Sequence, residues 1–199
     1  SVDATTDGTG RVAALTLAEL RALDAGSRFS ADFAGARIPT LDEVFEAVGR
    51  RLLINVEIKT ASFTDAGERQ ALARAVAAVL ARHELGHRVL VSSFNPFALR
   101  AMRRGAADLP LGYLYAPDLP LPLAKGWLAR PVIGRYEALH PHFSMVDEEY
   151  LRRARRQRRR VNVWTVNELD DIRRMLGLGV DMIISDRPDL VQDVLQGER

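Results

Sequence analysis

The 199-residue sequence contains no cysteine, which excludes disulfides, thiol nucleophiles and cysteine-ligated metals, and leaves the redox compartment open. No apolar run approaches the ~20 residues that cross a bilayer, so no stable membrane insertion is expected. The opening stretch SVDATTDGTGRV has neither a basic start nor an apolar segment and does not read as a secretion signal. The compartment therefore stays open, with the cytoplasm slightly favoured. Lysine is almost missing: Lys59 and Lys125 stand against 26 arginines. In a chain that uses arginine wherever any cation will do, a retained lysine hints that a compact ammonium is required. The net charge of +2 is too small to argue for a polyanionic partner, and no nucleic acid is expected.

A chain of this length fits one domain with a substantial core. From Leu52 onward, short runs rich in Val, Ile and Leu alternate with helical patterns. Strands are expected at 52–58, 88–94, 111–115, 138–142, 161–166 and 180–185, and helices at 65–83, 96–104, 147–158, 168–178 and 188–196. This alternation predicts parallel βαβ units, an α/β fold. Asn95-Pro96 and Asp186-Arg187-Pro188 punctuate helix starts, and Thr40 with Glu43 has the spacing of a capping box. Residues 1–37 read differently, as a long loop with one helical insert at 16–24. The connection from Pro120 to Val132 is proline-rich and ambiguous.

Two motifs invite readings that their context refuses. The run RRARRQRRR, Arg152 to Arg160, could meet phosphates, but Tyr150, Leu151 and Ala154 supply a buried stripe and the arginines a solvated face. His83-Glu84-Leu85-Gly86-His87 matches the HExxH zinc pattern, which needs both histidines on one helix face. Gly86 falls where the helix should end, so His87 is expected in the turn.

The segment Leu52 to Lys59 carries the most chemistry. Side chains alternate along a strand, so Ile54, Val56 and Ile58 share one face, and Asn55, Glu57 and Lys59 the other. A parallel strand is covered on both sides, so Glu57 and Lys59 belong either to a buried ion pair or to a site at the strand's carboxyl end.

The strand INVEIK resembles the strand motif of the glycerophosphodiester phosphodiesterase family. Similar segments flank it in family order: DATTDGTGRV, TLAELRALDAG and IPTLDEVF upstream, and VLVSSF, LHPH, VNVWTVN and GVDMIISDRP downstream. The resemblance implies a (β/α)8 barrel of TIM type that hydrolyses glycerophosphodiesters to glycerol 3-phosphate and an alcohol with a divalent metal, Mg2+ or Ca2+. By the same resemblance Glu57 is a metal ligand and Lys59 an electrostatic partner of the phosphoryl group. Phe94 and Trp164 would wall the glycerol moiety, and His140 is a further candidate for substrate binding.

The family pattern also implies a His-Arg-Gly segment, a Glu-x-Asp pair on a second strand and a His-Asp pair, all carried ahead of the segment that matches DATTDGTG, and none of them stands there in these 199 residues. The expectation is a barrel whose first two strands lie upstream, so that six parallel strands remain. Little or no activity is then expected of the polypeptide alone, because general acid/base transfer contributes about 100- to 10,000-fold. Two open sheet edges would follow, and pairing with a second copy would hide them. Competing readings are a barrel descendant that binds phosphodiesters or a protein partner without catalysis, and a phospholipase-like enzyme acting on lipids.

Overall fold

The alternation across Ile54 to Lys59 has a direct structural counterpart. In the computed structural model, which describes residues 1–60, 65–119 and 130–197, Asn55, Glu57 and Lys59 are exposed whereas Ile58 is buried and Ile54 and Val56 half-buried. The chain divides into two compact units, Ser1–Arg51 and Leu52–Arg199.

The first unit is built on turns and short helices. α1 (Leu17–Ala22) and α2 (Leu41–Val48) each open on a capping box, Thr16 with Glu19 and Thr40 with Glu43. Each box satisfies helix-end N–H groups that have no partner within the helix. Glu43 also pairs with Arg21 at 2.7 Å, and these donors, with the Thr40 N–H foremost, hold its carboxyl down to about 2. Asp24 collects the backbone N–H groups of Gly35, Ser27 and Gly26, which likewise hold it at about 2. Gly26 is indispensable to that turn, since a Cβ there would lie 1.8 Å from the Phe33 carbonyl oxygen.

The second unit contains six parallel strands in chain order: β1 (Ile54–Glu57), β2 (Val89–Ser93), β3 (Leu111–Tyr115), β4 (Ala138–Pro141), β5 (Arg160–Val163) and β6 (Met182–Ile183). Helices α3 (Ala66–His83), α4 (Pro96–Gly105), α5 (Arg130–Ile133), α6 (Glu148–Arg156) and α7 (Leu169–Leu178) fall between them, and α8 (Pro188–Gln196) follows. The result is the curled α/β half-barrel expected of a (β/α)8 barrel type. Asp65, Asn95 and Asp147 cap the starts of α3, α4 and α6 with side-chain oxygens, and proline occupies the first turn of α4 and α8. Of the proline-rich connection from Pro120 to Val132, residues 120–129 lie outside the described residues.

The strand register sorts the sheet into two faces. Ile54 pairs with Val89, Val91 with Leu111, Tyr113 with Leu139, and Leu139 with Val161. Apart from the half-buried Ile54, this apolar face is buried, together with Leu99 and Met102 of α4 and Ile172 and Met175 of α7, these four fully enclosed. Each such side chain contributes about 1.5–3 kcal/mol of burial.

The opposite face begins Glu57, Ser92, Gly112, Ala138, which pair in that order. It carries nearly all the polar residues of the strands.

Helix α6 buries Leu151 and Ala154 and leaves Arg152, Arg153, Arg155 and Arg156 exposed, the solvated face that the pattern predicts. Arg155 also donates to the Gly179 carbonyl at 3.0 Å, satisfying a group at the end of α7. The HExxH pattern breaks as expected. Glu84 takes a left-handed φ of 54° and ends α3 at His83, so His87 does not share a helix face with it.

Candidate active site at the carboxyl ends of the strands

Glu57 is the last residue of β1, and Lys59 follows one alternation later. Their charged atoms lie 3.8 Å apart, with the lysine side chain 81% exposed and the glutamate 33%. The ion pair is therefore solvent-exposed rather than buried. The expected cover on both sides of β1 fails because β1 is the outermost strand of the six, with a neighbour only in β2. Two unit charges at such a distance in water attract by only about 1 kcal/mol.

Continuing the register by one alternation brings the other predicted residues onto the face of Glu57. Phe94 follows Ser92, His140 pairs with Leu114 next to Gly112, and Trp164 bridges His142. Phe94 and Trp164 meet edge to face at 5.2 Å, and His142 meets Trp164 edge to face at 5.4 Å. Aromatic rings so arranged form a stable, partly apolar wall. The Trp164 indole is anchored by its Nε1, which donates to the His140 carbonyl at 2.7 Å.

His140 itself is fully buried. Asn162 Nδ2 donates to its Nε2 at 2.9 Å, which places the imidazole proton on Nδ1. Burial alone pushes this histidine down to about 4, so it is neutral near pH 7. His142 is half-exposed and keeps its Nδ1 against Ser144 Oγ at 2.7 Å. The sequence pattern gave no role to Gly112, Asn162 or His142. A glycine inside the run LGYLY was the available signal for a close approach on that strand.

Among the described residues no group of three or more His, Asp or Glu side chains could hold a metal ion. A hard cation such as Mg2+ or Ca2+ takes about six or more oxygen ligands, part of them water. Glu57, a single carboxylate beside an ammonium, does not by itself fit that requirement.

Parallel strands in consecutive order, with polar and aromatic side chains gathered toward their carboxyl ends, define an α/β barrel-type enzyme scaffold. Comparison with known proteins narrows this class. The model of the glycerophosphoryl diester phosphodiesterase family matches residues 1–190. A glycerophosphodiester phosphodiesterase of Caldanaerobacter subterraneus is 36% identical over 98% of this chain and 77% of its own length. That of Bacillus altitudinis is 30% identical over 93% of this chain and 74% of its own. The structure of an Oleispira antarctica phosphodiesterase in complex with its product, sn-glycerol-3-phosphate, superimposes with a TM-score of 0.83 and 28% identity over 98% of this chain and 76% of that one. The chain belongs to the glycerophosphoryl diester phosphodiesterase family, a family of phosphoric diester hydrolases that generally depend on a divalent metal. It spans about three quarters of the length of these relatives.

Proposed function

We propose that this chain takes part in the hydrolysis of glycerophosphodiesters to glycerol 3-phosphate and an alcohol. The strand register carries the reading: one face of one sheet holds a carboxylate, a cation and an aromatic wall, Glu57, Lys59 and the Phe94–Trp164 pair. Each suits one part of such a substrate. The exposed ammonium of Lys59 attracts phosphoryl oxygens, and a cation aimed at developing charge stabilises a phosphoryl transition state. The rings of Phe94 and Trp164 present an apolar surface to the carbon backbone of glycerol. By the family resemblance Glu57 would be one oxygen ligand toward a divalent cation, and further oxygen ligands beside it would be needed to hold such an ion.

The family model runs through both compact units, which supports treating the chain as one family domain. Two of the four histidines have poor credentials as general acid or base: His140 is sealed and neutral, and His83 lies at the far end of α3. The polypeptide of these 199 residues is accordingly expected to bind the product and to turn substrate over slowly or not at all.

Calorimetric titration with sn-glycerol 3-phosphate, alongside hydrolysis of glycerophosphocholine with Mg2+ or Ca2+, tests both parts. Binding should be measurable and weakened roughly tenfold by Lys59→Ala, the loss of one charge-assisted contact of about 1.4 kcal/mol. Unchanged affinity removes Lys59 from the site. Rapid hydrolysis by the unaltered polypeptide overturns the expectation of low turnover, and in that case Glu57→Gln should abolish it.

A further inference from the structure

Gly112 is the second residue of β3, on the face of Glu57, and its φ is not in the left-handed range that favours glycine. Space is the reason for a glycine at this position. A Cβ built there would stand 2.3 Å from Nε2 of His140, 2.7 Å from its Cδ2 and 2.9 Å from its Cε1. The distal edge of the imidazole thus fills the side-chain volume that Gly112 leaves vacant. The ring is fixed in rotation as well, because Nε2 is held by Asn162, itself almost wholly buried. An apolar side chain could fill the gap, but it could not be held to one rotation by a hydrogen bond.

The same residue touches the aromatic wall through its main chain. The His140 carbonyl accepts from Trp164 Nε1 at 2.7 Å, and Trp164 in turn meets Phe94. A continuous series of contacts therefore runs from the gap at Gly112, through the wedged ring and the β4 backbone, to the indole. His140 is fully buried, so a ligand on the exposed side of Trp164 does not reach its ring.

We propose that Gly112, His140 and Asn162 form a positioning set, in which the imidazole wedged over Gly112 and tied to Asn162 fixes the carbonyl that holds Trp164 against the glycerol moiety. This rests on the reading that Trp164 walls a small polyol phosphate. It revises the role of His140 from a substrate contact to a residue that acts through another.

A double-mutant cycle tests it, carried in a Trp127→Phe background so that Trp164 is the only indole. Two quantities are followed, the proton resonance of the Trp164 indole N–H and the affinity for sn-glycerol 3-phosphate. Gly112→Ala should move the indole resonance toward that of a free N–H and weaken binding about 5- to 20-fold. Added to His140→Ala, the same methyl group meets no ring and should change either quantity little, less than about twofold in affinity. An unmoved resonance in Gly112→Ala, or an equal effect in both backgrounds, overturns the proposal. Should Gly112→Ala not fold, Asn162→Ala adds no volume and should shift the resonance in the same direction; no shift counts against the set. Trp164→Ala separates the underlying reading. If it leaves affinity unchanged, the glycerol wall fails, while the resonance cycle still decides whether the set positions the indole.

Discussion

The two sides of the polar sheet face hold their polar groups by opposite means. At β1, Glu57 and Lys59 keep full charges in contact with water. Across β2 to β5, Ser92, His140 and Asn162 are buried, and none of them carries a charge at neutral pH. Moving an unpaired charge out of water costs far more than moving a hydrogen-bonded amide or imidazole, so charge survives only where solvent reaches. The interior satisfies its polar groups incompletely even so. Ser92 Oγ and His140 Nδ1 have no hydrogen-bond partner among the described residues. The exposed side is therefore suited to meet a charged ligand, and the interior to hold geometry.

The sharpest break between the two is their response to acid. His140 is held near 4, below its ordinary 6.5, so the folded protein binds fewer protons than the unfolded chain between these values. Its contribution to stability is complete above about pH 6.5 and is lost as the pH falls toward 4. Between pH 7.5 and 5 the loss should be about 2 kcal/mol. Asp24 and Glu43, held at about 2, titrate in a lower window and leave this one clear. Urea unfolding at the two pH values checks it: His140→Gln should be less sensitive to pH by that amount, and equal sensitivity would show that the imidazole is not desolvated in solution.

A smaller effect is expected from Asn162→Ala. The change removes the donor to Nε2 and leaves both ring nitrogens of a buried imidazole without a partner among the described residues. An abandoned buried polar group costs about 1–3 kcal/mol, so a loss near 1.5 kcal/mol in chemical denaturation is expected. A neutral outcome would mean that the hydrogen bond carries no net stability and that packing over Gly112 alone holds the ring.

Much of this arrangement was legible in advance, for a physical reason. Apolar alternation reports which face of a strand is covered, and the split between Ile54, Val56, Ile58 and Asn55, Glu57, Lys59 follows it residue by residue. Capping signals act within four residues, so the starts at Asn95, Asp147 and Thr40 were equally readable. What escaped depends on distances that a strand pattern does not encode. The wedge of His140 over Gly112 joins residues 28 positions apart in the chain, and Asn162 lies 22 beyond the histidine. The strand pattern left a buried ion pair and an open strand-end pair as alternatives, and the exposure that separates them depends on the position of β1 as the outermost of the six strands.

The exposed pair should behave as the reverse of the buried layer. An ion pair with one partner 81% exposed contributes little, because water screens the attraction and ordering a long lysine side chain opposes it. Lys59→Ala is therefore expected to change unfolding stability by less than about 0.5 kcal/mol, with the remaining difference vanishing at 1 M salt. The same substitution should weaken binding of sn-glycerol 3-phosphate, since a phosphate monoester dianion meets the ammonium without competition from a strong internal partner. Loss of affinity without loss of stability would mark Lys59 as a residue kept for its ligand. Loss of stability at low salt, with affinity retained, would instead return it to the structural ion pair and leave the aromatic wall as the remaining support for ligand recognition on this face.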